Sequence, residues 1–279
     1  MGGGGGPTAR RGAPVRGGGG AARPASLVLA LVVLLQACGG AAPDGGQAAA
    51  GSPGAGERGE LLVSAAASLT DVMAELEERF EAANPQVDVV LNLGGSSALR
   101  DQVLAGAPVD VLATANPATM DEVVAAGLVD GEPTVVATNR LAIAVPSGNP
   151  AGVEGLASLA DPSLLVGLCA VGVPCGDLAR EALDAAGVTA AVDTEEPDVR
   201  ALLTKVAAGE LDAGVVYATD VAAVAGAVGA LPVPGSPVTA YPVAVVVDAP
   251  NRVAARSWVA FLTGDEAVAV LVDAGFGRP

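Results

Sequence analysis

From residue 61 onward, short apolar runs alternate with longer stretches in which apolar residues recur every three or four positions. The short runs are typical of strands buried on both faces, and the periodic stretches are typical of amphipathic helices. The first predicted helix ends at Asn84-Pro85, and the next two end at Gly106 and Gly127. Such a series predicts an α/β fold with a mainly parallel sheet flanked by helices. The predicted strands of this first series are 61–63, 87–93 and 109–113.

A second series of the same kind begins at residue 164. Two extended strands precede it, a strong strand and two helices follow it, and the chain can thereby return to the first series. Two α/β units joined by extended strands predict two lobes around a ligand-binding cleft, with a hinge in the joining strands. We assign residues 60–139 and 242–279 to lobe 1 and residues 140–241 to lobe 2. The predicted strands of this part are 135–138, 141–145, 164–168, 190–192, 213–217 and 241–247, and a helix is predicted at 220–227.

The first 59 residues have the features of an export signal and a linker. Four arginines precede an apolar run at 27–35, which is too short to span a bilayer and has the order of a secretory signal. Residues 35–39 resemble a bacterial lipobox, in which Cys38 is lipidated after cleavage. The alternative is an ordinary secreted protein with an isolated cysteine near its cleavage site. We predict a signal peptide at 1–37, a lipid-anchored flexible tether at 38–59 and an extracytoplasmic, membrane-anchored protein.

The charge of the chain argues against two classes of partner. Removal of residues 1–37 leaves 10 basic and 31 acidic residues, a net charge of −21. A charge of this size disfavours nucleic acid and anionic lipid as partners. A buried site can still favour an anion through local dipoles, because salt screens the global field over about 10 Å at 0.1 M.

Two cysteines remain after the lipobox, Cys169 and Cys175. Outside the cytoplasm an even pair predicts a disulfide. A structural zinc site would need four ligands, and the chain contains no histidine. We therefore favour a disulfide that fixes the shape of the loop between the two residues.

Several predicted helix starts carry small or polar residues directly after a strand. A helix N-terminus presents unpaired N–H groups and a positive dipole end, so it favours an anion. A serine at such a position is also a common helix cap, so each start alone indicates little. Together they would place donors from both lobes around one cleft. Tyr217, at the end of a strand, adds a phenol. The helix starts are Ser68, Gly95-Ser96-Ser97, Pro174-Cys175-Gly176 and Pro197-Asp198-Val199-Arg200.

A site made of N–H and O–H donors suits a fully ionised small oxyanion. Such an ion accepts hydrogen bonds at every oxygen and donates none, whereas phosphate at neutral pH carries a proton and would favour a carboxylate acceptor. A rigid donor shell selects by size, because it cannot contract onto a smaller tetrahedron without losing hydrogen bonds.

Six segments in this order resemble the motifs of periplasmic molybdate-binding proteins. The similarity extends from about residue 61 to residue 276, and residues 241–245 match the return strand of that family. The combination is specific although each segment alone is weak. The segments are 65–70, 95–99, 106–110, 173–176, 198–200 and 214–220.

The resemblance implies a two-lobed periplasmic-binding-protein fold of type II. It also implies delivery of molybdate, with tungstate as a second ligand, to the membrane permease of an ABC importer by a monomer without a cofactor. The oxyanion is held in that family by hydroxyl and amide hydrogens, and no protein side chain ligates a metal cation directly. Cys175 replaces a common alanine and Gly95 an occasional serine, so the choice between Ser96 and Ser97 as donor stays open. The implied contacts are Ser68 and Ser96 through hydroxyl and N–H, Cys175 and Val199 through N–H, and Tyr217 through its hydroxyl.

Other functions are less consistent with the sequence. An enzyme with a serine nucleophile would need a base, and the lack of histidine leaves only Lys205 for that role. Sulfate, phosphate or a small organic acid remains an alternative ligand, and an organic acid would favour Arg100 or Arg200 as a clamp. A purely structural lipoprotein is a further alternative. Four aspartates could bind a metal, but each is better explained as a carboxylate at a helix start or strand end: Asp71, Asp110, Asp177 and Asp220.

Overall fold

Strands and helices alternate along the chain in the predicted order. The computed structural model describes residues 58–279. The predicted signal peptide, the lipidation residue Cys38 and the tether up to residue 57 lie outside the described residues. The first half contains β1 (Gly59–Ala66), α1 (Thr70–Ala83), β2 (Val87–Gly94), α2 (Ser96–Leu104), β3 (Val111–Ala113), α3 (Pro117–Ala125) and β4 (Thr134–Pro146). The second half contains β5 (Val166–Cys169), α4 (Pro174–Ala185), β6 (Val192–Glu196), α5 (Val199–Ala207), β7 (Ala213–Tyr217), α6 (Ala218–Ala223), β8 (Val228–Pro232), β9 (Val238–Val245), α7 (Arg252–Leu262) and α8 (Asp265–Asp273).

Lobe 1 is built on β2, β1, β3, β9 and the first half of β4, in that order. β1 pairs in parallel with both β2 and β3, while β9 runs antiparallel to β3 and to residues 134–140 of β4. Helices α1, α2, α3 and α7 pack on this sheet, and α8 packs on α1 and α7. Phe80 of α1 meets Trp258 of α7 edge to face, with ring centroids 5.0 Å apart, which fixes these helices against each other.

Lobe 2 is built on the second half of β4, followed by β7, β5 and β6. β5 pairs in parallel with β6 and β7, and residues 141–146 of β4 pair antiparallel with β7 and β8. The chain crosses between the lobes within β4 and again between β8 and β9. The predicted α/β fold, with a sheet flanked by helices in each lobe, is confirmed. Each sheet is mixed, with two parallel and two antiparallel pairings.

The two predicted strands at 135–138 and 141–145 are one continuous strand, β4. Asn139 and Arg140 separate the two apolar runs in the sequence, but Asn139 is buried at the crossing and its side chain is hydrogen-bonded there. A register shift between Val135 and Ala137 marks an irregularity in the pairing with β9. The strand therefore bends from one lobe to the other without a turn.

Several other predicted elements differ in position, and one strand was not predicted. Strand β6 lies at 192–196 rather than 190–192, and α6 lies at 218–223 rather than 220–227. Strand β9 begins three residues before the predicted strand and ends at Val245. Strand β8 was not predicted, because it contains Gly229 and ends at Pro232, residues that usually mark loops. It pairs with β4 alone, and a proline is tolerated in such a strand.

Among residues 58–279, the helices are all too short or too polar to cross a membrane.

Candidate ligand-binding cavity

Strand ends and helix starts from both lobes surround one cavity. Its volume is about 200 Å³ with the open mouth included. Lobe 1 contributes the residues after β1, β2 and β3, and lobe 2 contributes those after β5, β6 and β7, as expected for ligand sites beyond the carboxyl ends of strands. The structure thus brings the five predicted site residues together. The lining residues are Ala66, Ala67, Ser68, Gly95, Ser96, Ala115, Val173, Pro174, Cys175, Asp198, Val199 and Tyr217.

The first turn of α5 leaves one amide hydrogen at the cavity. Asp198 caps this helix, and its Oδ1 accepts from the N–H groups of Arg200 (2.8 Å) and Ala201 (2.9 Å). The N–H of Val199 has no acceptor among residues 58–279. Asp198 therefore satisfies the amides of Arg200 and Ala201, and the amide of Val199 stays available at the cavity.

The first turn of α4 has the same property by a different route. Pro174 has no N–H, and the N–H of Gly176 donates to Val173 O at 2.8 Å. The N–H of Cys175 has no acceptor in the described part of the chain. Its side chain forms a disulfide with Cys169 at the end of β5, so the loop that carries this amide is covalently closed.

Ser96 is the first residue of α2, whose N-cap is Gly95, and the helix has no side-chain cap. The Ser96 Oγ accepts from the N–H of Ala115 at 3.0 Å, so its own hydrogen is available to a ligand. Ser97 is directed elsewhere, since its Oγ donates to Gly172 O of lobe 2 at 2.6 Å. Ser96 thus lines the cavity and Ser97 contacts the opposite lobe.

Ser68 lies in a short 3-10 helix, Ala67–Leu69, which precedes α1. Its Oγ is 3.0 Å from the Tyr241 hydroxyl, which also accepts from the Asn139 side-chain amide at 3.2 Å. Because Asn139 can only donate through that nitrogen, the Tyr241 hydrogen is free to point at Ser68, and the Ser68 hydrogen is free to point at a ligand. Sequence reasoning placed Tyr241 on the return strand but assigned it no role at the site.

Tyr217 ends β7 and is 1% exposed. Its hydroxyl makes no hydrogen bond of normal length and angle among residues 58–279, although it lies near the Tyr241 hydroxyl. The two rings pack with centroids 6.0 Å apart. Burial raises the pKa of the Tyr217 phenol well above its usual value, so the hydroxyl keeps its proton. A buried hydroxyl without a partner is costly, which indicates that an acceptor completes it.

The lining contains no lysine or arginine. Arg200 turns its guanidinium towards Asp71 and the Ala67 carbonyl, and Arg100 is paired with Asp101 and Glu122 at 2.9 Å each. Neither forms a clamp in the cavity. Asp198 lines the cavity with a charged side chain, although from the sequence it was considered only as part of a helix start.

The four aspartates considered as metal ligands do not form one cluster, and each has another partner. Asp71 pairs with Arg200. Asp110 accepts from the N–H groups of Leu62 and Asn251, Asp177 accepts from that of Gly172, and Asp220 accepts from that of Tyr217. Within residues 58–279, no cluster of three or more His, Cys, Asp or Glu side chains has the geometry of a metal site.

Known proteins resemble this chain in sequence and in fold. Residues 61–277 match the family described as bacterial extracellular solute-binding protein. The molybdate-binding protein ModA of Mycobacterium tuberculosis is 38% identical over 221 residues, which cover 78% of this chain and 85% of ModA.

Two solved structures support the fold alone. The periplasmic molybdate-binding protein of Azotobacter vinelandii superposes with a TM-score of 0.69 at 20% identity, covering 78% of this chain and 99% of that one. The sulfate-binding protein SubI of M. tuberculosis has a TM-score of 0.68 at 17% identity, covering 78% and 86%. The predicted two-lobed periplasmic-binding-protein fold is thereby confirmed. The chain belongs to the bacterial extracellular solute-binding protein family and is a homologue of the ModA proteins.

Proposed function

We propose that this protein binds molybdate, and tungstate as well, in the cavity between its lobes and delivers the ion to the permease of an ABC importer. The observation that carries the proposal is a set of donors that have no acceptor among residues 58–279: the amides of Cys175 and Val199 and the hydroxyl of Tyr217. A fully ionised tetrahedral oxyanion would complete each of them.

The strength of such a site follows from charge-assisted hydrogen bonds. Each is worth about 1.5–3 kcal/mol, and each helix N-terminus adds about 0.3–1 kcal/mol. Five residues donating from two lobes would therefore outweigh the cost of dehydrating the ion, without a cationic side chain. The proposed ligand contacts are Ser68 and Ser96 through hydroxyl and N–H, Cys175 and Val199 through N–H, and Tyr217 through its hydroxyl.

The proposal extends to the arrangement of the protein at the membrane. A signal peptide at 1–37 would be removed, Cys38 would be lipidated, and the tether to residue 59 would hold a monomeric body near the permease. The body would divide at residues 140 and 242, with 60–139 and 242–279 as lobe 1 and 140–241 as lobe 2. Metabolic labelling with a radioactive fatty acid tests the anchor, because a Cys38→Ala variant would lose the label.

The alternative ligands are sulfate, phosphate or a small organic acid. One observation favours a protonated oxyanion such as phosphate, because Asp198 puts a carboxylate in the lining of the cavity. Its Oδ1 already accepts two amide hydrogens, which reduces its capacity as a proton acceptor. Isothermal titration calorimetry with molybdate, tungstate, sulfate and phosphate separates these ligands. Tightest binding of sulfate or phosphate, or no binding at all, would reject the proposal.

A Tyr217→Phe variant tests the unpaired hydroxyl. We expect molybdate to bind about 10-fold to 100-fold more weakly, because one charge-assisted hydrogen bond is lost. The ligand-free protein should be as stable as the wild type or more so, since no protein partner is lost.

Tyr241→Phe is the matched control, because it removes a buried hydroxyl that is already bonded to Ser68 and Asn139. We expect this variant to unfold at a lower temperature than Tyr217→Phe. Unchanged affinity in Tyr217→Phe would remove Tyr217 from the site.

A further inference from the structure

Arg200 extends from lobe 2 to lobe 1 at the edge of the cavity. Its Nε donates to Ala67 O at 3.3 Å, and its Nη2 pairs with Asp71 of α1. Ala67 directly precedes Ser68, and Arg200 directly follows Val199. The guanidinium thus joins the two lobes one residue away from a proposed ligand contact on each side.

A second carboxylate lies behind the guanidinium within lobe 2. Asp220 of α6 has a fully buried side chain, and its Oδ1 is 3.8 Å from Arg200 Nε. This Oδ1 has no hydrogen-bond partner in residues 58–279, while Oδ2 accepts from the Tyr217 N–H at 3.2 Å. Burial raises the pKa of Asp220 to about 7, and the nearby Arg200 opposes this shift.

Separation of the lobes would break the contact of Arg200 with Asp71 but not its contact with Asp220. Asp220 and Arg200 belong to the same lobe, so their contact survives any movement of one lobe relative to the other. Asp71 and Ala67 belong to lobe 1, so their contacts exist only while the lobes are together. A second contact of this kind is the hydrogen bond from Ser97 Oγ to Gly172 O.

We propose that Arg200 and Asp71 form a latch that holds the lobes together and sets the rate at which the ligand leaves, with Asp220 as a positioning residue for Arg200. This inference rests on the proposed function. Arginine suits the role, because its planar guanidinium can serve a carbonyl and a carboxylate at once. The contacts between the lobes must break before the ligand can leave, so the latch acts on release more than on association.

The variant Asp71→Asn removes the charge of the lobe 1 partner, whose side chain is 60% exposed. It leaves Arg200 with Asp220 as a neighbouring carboxylate, so the guanidinium keeps a counter-charge. We expect the release rate of molybdate, measured by stopped flow, to rise about twofold to fivefold, as for a partly exposed ion pair. The increase should shrink at about 1 M salt, where charges are screened within about 3 Å.

Arg200→Gln should increase release about 10-fold, since the bond to Ala67 is lost as well. In this variant Asp220 is buried without a cation, so Asp71→Asn remains the decisive variant if Arg200→Gln folds poorly. The double variant should release no faster than Arg200→Gln, because both changes remove the same pair.

Arg100→Gln is the matched control. Arg100 is similarly buried and also pairs with two carboxylates, Asp101 and Glu122, but both belong to lobe 1. Its loss should leave the release rate unchanged. Equal release rates in wild type, Asp71→Asn and Arg100→Gln would overturn the latch while leaving the proposed ligand intact.

Small-angle X-ray scattering separates failure of the latch from failure of the proposed function. If calorimetry finds no oxyanion bound, the proposed function fails, and the lobe separation without ligand then decides the latch. A larger radius of gyration in Asp71→Asn than in Arg100→Gln supports the latch in that case, and equal values overturn it.

Discussion

Gly95 lies where the lobes come into close contact, and its replacement by alanine tests closure directly. A Cβ at this position would lie 2.5 Å from Pro197 O and 3.4 Å from the Asp198 Cβ, both in lobe 2. The backbone of Gly95 has φ −61° and ψ 132°, which any L-residue adopts without strain. The clash is therefore a clash between lobes, and the fold of each lobe has no reason to change.

The size of the effect follows from the distances. A carbon and an oxygen normally come no closer than about 3.3 Å, so the Gly95→Ala methyl would push this point of the cleft apart by about 0.8 Å. The Ser97–Gly172 hydrogen bond, now 2.6 Å, would lengthen to about 3.4 Å, the limit of a useful bond. Loss of one or two charge-assisted bonds to the ion, at about 1.5–3 kcal/mol each, weakens binding about 10-fold to 10,000-fold.

The assay is calorimetric titration of Gly95→Ala with molybdate, with Gly94→Ala as the control. The Gly94 methyl would lie 3.7 Å from Leu99 Cδ2, an ordinary contact, so we expect nearly wild-type affinity there. Alanine is a poor N-cap for α2, and thermal unfolding of Gly95→Ala separates this cost of about 1 kcal/mol from the effect on binding. Wild-type affinity in Gly95→Ala would refute the reasoning, because the ion would then be bound without this degree of closure.

Two further predictions concern Asp220 and the disulfide. The pKa of Asp220 is raised to about 7 in the folded protein from 3.8. The folded protein therefore holds a proton that the unfolded chain has lost, and the contribution of Asp220 to stability falls between about pH 4 and pH 7. The unfolding free energy of Asp220→Asn minus that of the wild type should therefore increase by about 4 kcal/mol from pH 4 to pH 8. Urea titrations measure this difference, and a value that does not change with pH would contradict the raised pKa. Replacing Cys169 and Cys175 together by alanine keeps the amide donor, so we expect about 2 kcal/mol lower stability in urea but less than a 10-fold loss of affinity; unchanged stability would contradict the role of the bridge.

The positions of the cavity residues were predictable because they depend on local chain chemistry. A small or polar residue after a strand marks a helix start, and parallel strands bring such starts to one end of a sheet. The turns that contain Ser68, Ser96, Cys175 and Val199 were predicted in this way, and the resemblance to molybdate-binding proteins selected the individual residues. Tyr217 was found because an aromatic residue ends a buried strand.

The long-range contacts, within a lobe and between the lobes, could not be predicted, because they join residues far apart in the chain. Nothing local indicates that Gly95 meets Pro197, or that Tyr241 supports Ser68. The continuity of β4 was missed for a related reason, since Asn139 is polar by itself and becomes a core residue only through partners from other strands.

The aromatic residues of this chain are distributed in a way that separates two optical signals. Of its two tyrosines, Tyr217 lines the cavity and Tyr241 contacts the lining residue Ser68. Its single tryptophan, Trp258, is buried against Phe80 in lobe 1. Tyrosine difference absorbance will therefore follow ion binding, while indole emission follows the integrity of lobe 1. The native protein thus carries an intrinsic label for each process, and neither measurement needs a dye.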